Sequence, residues 1–111
     1  MVCRSTMTGA ETKTMIRQIT LIRFKPGVET DQIQSLTDGF CELAKIVPTV
    51  ARFEFGPDLE IRDDTWDYAL VIDFPGEEAL YAYRDHPTHL SFVDRFMPLI
   101  DEVARVQYSV K

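Results

Sequence analysis

The sequence predicts a single α+β domain whose strands and helices follow the order β-α-β-β-α-β. Apolar and polar residues alternate from Met15 onward, which is the period of a strand. Apolar residues then recur at steps of three and four between Ile33 and Val47, which is the period of a helix. Both patterns return in the second half of the chain, on either side of Pro75-Gly76. This order is the split βαβ arrangement, in which an antiparallel sheet carries both helices on one face.

The first half of the chain predicts a strand, a helix and a second strand. One face of the first strand mixes polar and apolar side chains: Ile16, Gln18, Thr20, Ile22 and Phe24. Lys25-Pro26-Gly27 ends this strand, Thr30 is expected to cap the helix that follows, and Pro48 ends that helix. The second strand is predicted over residues 50–55.

The second half predicts two more strands around a helix with a kink. The third strand is expected over residues 66–74, and a helix begins at Glu77. The chain kinks at His86-Pro87, because a proline disfavours helical geometry in the residue before it. Thr88 is expected to cap a further helical segment. The last strand is predicted over residues 103–110.

The two faces of this sheet predict a homodimer. Both helices are expected on one face, which leaves the other face bare with four large apolar residues: Ile22, Phe24, Leu70 and Ile72. Exposed apolar area costs roughly 25 cal/mol per Å², so a second copy is expected to pack sheet face against sheet face into a dimeric α/β barrel. Gln18, Thr20 and Tyr68 share this face, and unpartnered polar groups are expensive to bury. A ligand cavity is therefore expected between the two sheets.

Composition and the N-terminal residues narrow the class of protein. Twelve Lys and Arg against eighteen Asp and Glu give a formal net charge of −6, which disfavours nucleic acid and anionic membranes as partners. Residues 1–14 are polar and aperiodic, so we expect a frayed leader before a domain over residues 15–111. Cys3 and Cys41 form no CxxC motif, and we expect both to be reduced thiols in a cytoplasmic protein.

Both histidines of the sequence lie in one segment, Tyr83-Arg84-Asp85-His86-Pro87-Thr88-His89. A histidine titrates near neutral pH, and a tyrosine hydroxyl can donate to a developing oxyanion. Tyr83 and His89 together would therefore suffice to remove a proton from a carbon next to a carbonyl. In the alternative interpretation, the imidazoles only cap helices and bind backbone groups at a helix junction. The spacing alone leaves both interpretations open.

Four segments carry a resemblance to a known family: Phe24-Lys25-Pro26-Gly27, Phe53-x-Phe55-Gly56, Tyr68–Phe74 and Tyr83-x-x-His86-Pro87-x-His89. They resemble the stress-responsive dimeric α/β-barrel (Dabb) family, and the similarity extends over residues 15–110. The resemblance implies a ferredoxin-like protomer and a homodimer whose sheets enclose a barrel.

Members of this family differ in function, and the resemblance implies two hypotheses. The first is a cofactor-independent enzyme of the cyclase or isomerase type. In a plant polyketide cyclase of the family, the tyrosine and the second histidine of the motif act as oxyanion stabiliser and base, and they map onto Tyr83 and His89. Gln18 and Tyr68 stand where other members have histidines, which reduces the acid–base equipment. The second hypothesis is a non-catalytic, stress-responsive dimer that binds a ligand or has a structural role.

The enzyme hypothesis predicts a pocket for a small aromatic or polyketide-like molecule, with neither a metal nor a cofactor. Besides the catalytic pair, the residues expected to contact this molecule are Gln18, Thr20, Ile22, Phe24, Tyr68, Leu70 and His86. Arg105 shares the parity of Val103 and Gln107 in the last strand. It is more simply an exposed edge-strand arginine than a carboxylate ligand inside the cavity.

Overall fold

The computed structural model describes residues 15–46 and 50–110, and the predicted leader therefore lies outside the described residues. The elements are, in chain order, β1 (Met15–Phe24), α1 (Thr30–Ile46), β2 (Arg52–Pro57), β3 (Tyr68–Phe74), α2 (Glu77–Asp85), α3 (Pro87–Phe96), a 3-10 turn (Met97–Leu99) and β4 (Ile100–Val110). The α+β class and the βαββαβ order are confirmed, with the second helical region divided into α2 and α3.

Two helix caps differ from the prediction. Thr30 is the first helical residue of α1 and does not cap it; the side chain of Gln32 instead reaches back to accept the Glu29 N–H at 2.8 Å. At α3 the cap is His86, whose Nδ1 accepts the Thr88 N–H at 3.1 Å. The sequence indicates where both helices begin. It favours hydroxyl side chains as the caps, but in the structure longer side chains make these hydrogen bonds.

The four strands form one antiparallel sheet in the order β2-β3-β1-β4. β1 lies between β3 and β4, so each of its residues from Ile16 to Ile22 faces one partner on β3 and one on β4. Thr20, for example, is opposite Leu70 on one side and Arg105 on the other. Because directly opposed residues of antiparallel strands share a face, these three side chains lie on the same side of the sheet.

The helices cover the sheet face that the sequence analysis expected to be bare. Ile22, Leu70 and Ile72 are only 4%, 5% and 0% exposed within a single chain, and they belong to the core formed with the helices. Phe24 is partly buried against the same core. The prediction that this face awaits a second subunit is wrong. The period of two shows which residues share a face, but both faces of these strands are apolar, so the period cannot show which face the helices take.

The face turned away from the helices is also largely apolar. Its apolar residues on β1, β3 and β4 are Ile19, Leu21, Ala69, Val71, Ala104, Val106 and Tyr108. Val106 and Tyr108 remain 53% and 42% exposed. A charged cluster crosses this face, in which Arg17 binds Asp73 with two bonds of 2.7 and 2.9 Å and Arg52 approaches the same carboxylate at 3.2 Å. No helix within residues 15–46 and 50–110 covers the apolar residues of this face, which form an apolar band.

A close approach between α1 and α3 shapes the helical layer. A Cβ atom on Gly39 would lie 2.8 Å from the Phe92 ring and 2.9 Å from the Phe96 ring, closer than real side chains allow. Glycine therefore lets α1 pass directly against α3. Phe40 stacks with Phe92 at a centroid distance of 4.7 Å on the same side of α1. These contacts hold α3 against α1.

Cys41 is disulfide-bonded, so the prediction that it is a reduced thiol is wrong. The other cysteine of the sequence, Cys3, lies outside the described residues. Disulfides are rare in the cytoplasm, so the disulfide of Cys41 does not support the predicted cytoplasmic location. That location stays a prediction. Among the described helices, none is long and apolar enough to cross a membrane.

Candidate active site

A cavity of about 480 Å³ lies between the sheet on one side and α2 and α3 on the other. Apolar side chains of the helices, among them Leu80, Phe92 and Phe96, form one wall. Four polar residues of β1 and β4 line the opposite side: Gln18, Thr20, Arg105 and Gln107. The cavity lies on the helix-covered face of the sheet within one chain, so its predicted position between the sheets of two subunits is wrong.

The structure brings most of the predicted site residues to this cavity. Those that line it are Gln18, Thr20, Ile22, Leu70, Tyr83 and His89. Phe24, Tyr68 and His86 are not among the lining residues. The Tyr68 hydroxyl shares a 2.7 Å hydrogen bond with Thr37 of α1, and burial raises its pKa to about 12. Tyr68 is therefore a buried core residue hydrogen-bonded to α1, and His86 serves as the α3 cap.

The break between α2 and α3 determines how His89 is held. An uninterrupted helix would satisfy the Tyr83 carbonyl from residue 87, but Pro87 has no N–H, and the His86 N–H binds that carbonyl at 3.2 Å instead. The Arg84 carbonyl would take the Thr88 N–H, which is already bound to the His86 ring. The Nδ1–H of His89 fills this place and donates to the Arg84 carbonyl at 2.9 Å.

This hydrogen bond selects one tautomer of His89. A carbonyl oxygen only accepts, so Nδ1 must carry the proton. In the neutral imidazole, Nε2 is then left with a free electron pair, which is the form required of a general base. The local backbone therefore prepares His89 for proton transfer.

Tyr83 lies directly beside this imidazole. The two ring centroids are 4.4 Å apart, and Tyr83 is only 4% exposed. Phe53 and Phe74 pack around its ring at centroid distances of 6.1 and 5.5 Å. Burial raises the pKa of Tyr83 well above its usual value, and the positive charge of Arg105 offsets this only in part. The Tyr83 hydroxyl is therefore protonated at neutral pH and available as a hydrogen-bond donor.

The surroundings of His89 keep it neutral. Desolvation is the largest cause that lowers its pKa, and the charges of Arg105 and His86 act in the same direction. The hydrogen bond to the Arg84 carbonyl and the charge of Asp85 raise the pKa but do not cancel the other effects. Because the ordinary pKa of histidine is already about 6.5, the lowered value leaves the base form dominant at pH 7.

Several residues that line the cavity lie outside the predicted site. Phe92 and Phe96 are not among the predicted site residues, but they form part of the cavity wall. Arg105 is exposed, as expected of an edge strand, but it also lines the cavity. The alternation of side chains along β4 indicates which of its residues share a face with Arg105. The β1–β4 register is needed to show that this face lines the cavity, because it places Arg105 opposite Thr20 and Gln107 opposite Gln18.

Comparison with known proteins identifies the family. Residues 16–110 match the family described as the Stress responsive A/B Barrel Domain, Dabb. The chain belongs to the Dabb family. It is 28% identical over 100 residues to the stress-response A/B barrel domain-containing protein HS1 of Arabidopsis thaliana, covering 88% of this chain and 92% of HS1.

Solved structures extend the comparison to the fold. A dimeric ferredoxin-like protein of unknown function from Thermobifida fusca superposes with a TM-score of 0.85 at 28% identity, covering 93% of this chain and 97% of that one. A hydroxynitrile lyase from Passiflora edulis has a TM-score of 0.76 at 22% identity, covering 87% and 94% of the two chains. This second likeness is one of fold alone. This Dabb protein thus shares its architecture with a protein of unknown function and also with an enzyme.

The groups around His89 predict how its pKa responds to substitution. In the wild-type protein, an NMR titration of the His89 ring should give a pKa below 6.5. Arg105→Gln removes a cation that disfavours the imidazolium, so the pKa should rise. Asp85→Asn removes an anion that favours the imidazolium, so the pKa should fall. Equal shifts in the same direction for both variants, or a wild-type pKa above 6.5, would contradict this description of the site.

Proposed function

We propose that this Dabb protein is a cofactor-independent enzyme of the cyclase or isomerase type. It removes a proton from a carbon next to a carbonyl group of a small aromatic or polyketide-like substrate. The observation that carries the proposal is the pair of a neutral His89 and a protonated Tyr83, with ring centroids 4.4 Å apart, on the wall of one cavity. The tautomer set by the Arg84 carbonyl supplies the free Nε2 that the reaction needs.

The proposed reaction needs only these two groups. Nε2 of His89 takes the proton from the carbon, and the electron pair of the broken C–H bond forms an enolate. The hydroxyl of Tyr83 donates a hydrogen bond to the enolate oxygen, where the negative charge develops. In a cyclase, the enolate carbon then attacks a second carbonyl of the same molecule, and the imidazolium returns its proton to the new alkoxide. In an isomerase, the imidazolium returns the proton to another carbon of the enolate system.

The cavity supports a small and partly aromatic substrate. Its volume of about 480 Å³ is within the range of roughly 300–1,000 Å³ that is usual for small-molecule sites. Phe40, Phe92 and Phe96 supply aromatic walls. Ile22 and Leu70 add apolar surface from the sheet.

The enzyme proposal predicts that the protein accelerates hydrogen exchange at the α-carbon of a simple aryl ketone. The probe is phenylacetone in D₂O, followed by NMR. His89→Gln should reduce the protein-dependent rate by about 10²-fold or more, because it removes the base but keeps an N–H donor for the Arg84 carbonyl. His86→Asn is the matched control, since asparagine caps helices well and the other histidine remains. Its rate should stay close to that of the wild type.

Two results would contradict the proposal. One is a wild-type rate no higher than that of buffer, for phenylacetone and for longer aryl ketones, which is the result that a non-catalytic dimer would give. The other is a His89→Gln variant that is as active as the wild type. Tyr83→Phe adds a third variant, in which loss of the oxyanion donor should lower the rate while the pKa of His89 remains below 6.5.

We further propose that the chain forms a homodimer through the sheet face turned away from the helices. Half-buried Ile19 and Val71 and exposed Val106 and Tyr108 give this face an apolar band without a described helix over it. Bands of this kind on a small domain are expensive to leave in water. The Thermobifida fusca protein of the same fold, 28% identical, is described as dimeric.

The dimer proposal predicts a mass of about twice 12.8 kDa in light scattering at micromolar concentration. Val106→Glu should shift the equilibrium to monomer, because it places a charge in the apolar band. Ala82→Glu, on the exposed side of α2, is the control and should leave the mass unchanged. A monomeric wild type, or equal dissociation by both substitutions, would refute the assignment of this face.

A further inference from the structure

We propose that the substrate of this cavity contains a carboxylate group, which Arg105 and Thr20 bind at the β1–β4 side. The inference rests on the function proposed for the cavity and adds the chemical class of the ligand. Three observations carry it: a buried hydroxyl and an arginine for which the described residues supply no hydrogen-bond partner and no carboxylate, respectively, and the register that places the two side by side.

Thr20 is the first of these observations. It is only 6% exposed, it lines the cavity, and its Oγ1 has no hydrogen-bond partner among the described residues. Buried side-chain polar atoms are nearly always paired, because removing them from water without compensation is unfavourable. An orphaned hydroxyl on a cavity wall is therefore a group whose partner a ligand supplies.

Arg105 is the second observation. Within residues 15–46 and 50–110, most arginines bind a carboxylate: Arg17, Arg23, Arg52, Arg62 and Arg84. Arg95 lies over the ring of Phe96 at 4.7 Å. Arg105 has neither kind of partner in that part of the chain. The protein has a formal net charge of −6, so carboxylates outnumber the basic groups. Arg105 lines the cavity and yet binds none of the carboxylates in the described residues, unlike most of the other arginines there.

The strand register joins these two groups. Arg105 is directly opposite Thr20 in the β1–β4 pairing, on the helix-covered face of the sheet. The neighbouring pair along the same strands, Gln18 and Gln107, is occupied with itself, since the Gln107 amide donates to the Gln18 oxygen at 2.6 Å. Beside this amide pair, the register sets together the Arg105 guanidinium and the Thr20 hydroxyl, neither of which has a side-chain hydrogen-bond partner within residues 15–46 and 50–110. Both donate, and an ionised carboxylate only accepts and suits the fork of an arginine.

The same arginine is close enough to affect the reacting pair. Its charge acts on both Tyr83 and His89. A carboxylate held by Arg105 would fix one end of the substrate, while the apolar body lies along Phe92 and Phe96 and a carbonyl faces Tyr83. Binding would also neutralise the cation that disfavours imidazolium formation, so the anionic substrate itself would make His89 a stronger base.

The test compares acids with their neutral amides. The probes are benzoate, phenylacetate and 3-phenylpropionate, each paired with the amide of the same shape, with binding to the full chain measured by calorimetry at pH 7.5. For at least one pair, the wild type should bind the acid tenfold or more tightly than the amide. Arg105→Gln should abolish this preference, Arg105→Lys should retain part of it, and Thr20→Val should weaken acid binding several-fold. Arg62→Gln, in the connection between β2 and β3, is the control and should bind as the wild type does.

The proposal is overturned if no acid binds more tightly than its amide, or if Arg105→Gln keeps the preference while remaining folded by circular dichroism. The His89→Gln variant separates this inference from the enzymatic one, because it lacks the base but keeps the anchor. Preference for acids that persists in His89→Gln, without any exchange activity in the wild type, would leave the carboxylate site standing and remove the enzyme. Exchange activity without preference for acids would leave the enzyme standing and remove the carboxylate site.

Discussion

The hydrogen bond from the His89 ring to the Arg84 carbonyl is the interaction on which the site depends. It exists because Pro87 interrupts the helical ladder and the His86 ring takes the Thr88 N–H, which leaves a carbonyl at the end of α2 without a backbone donor. The hydrogen bond to that carbonyl holds the ring proton of His89 on Nδ1 and leaves Nε2 unprotonated. One missing backbone donor thus fixes both the position and the tautomer of the proposed base.

The sheet divides the molecule into a face that lines the cavity and a face through which we propose that the chain associates. On the helix-covered side, Thr20 and Arg105 belong to the polar wall of the cavity, opposite the apolar side chains of the helices. On the other side, the Arg17–Asp73 pair crosses an apolar band that includes Val106. Because strand side chains alternate, adjacent residues of the same strand serve the two purposes, and a change on one face need not disturb the other.

The sequence could predict the order of elements and the residues that share a face, since both follow from local periodicity and from proline and glycine breaks. It also placed Tyr83 and His89 in one segment and the polar residues Gln18 and Thr20 on one side of β1. It could not decide which apolar face the helices cover, because Ile22 and Ile19 are equally suited to burial. It favoured an exposed edge-strand position for Arg105 over one in the cavity, because the contribution of Arg105 to the cavity depends on the strand register, which is set by long-range pairing.

The protonation of the His89 ring tests the central claim most directly. Long-range ¹H–¹⁵N NMR correlations of ¹⁵N-labelled protein at pH 7.5 distinguish the two nitrogens of each imidazole. The predicted result is a neutral His89 ring with its proton on Nδ1 and an unprotonated Nε2. A proton on Nε2, or a ring that is charged at this pH, would contradict the account, because neither form offers Nε2 as a base.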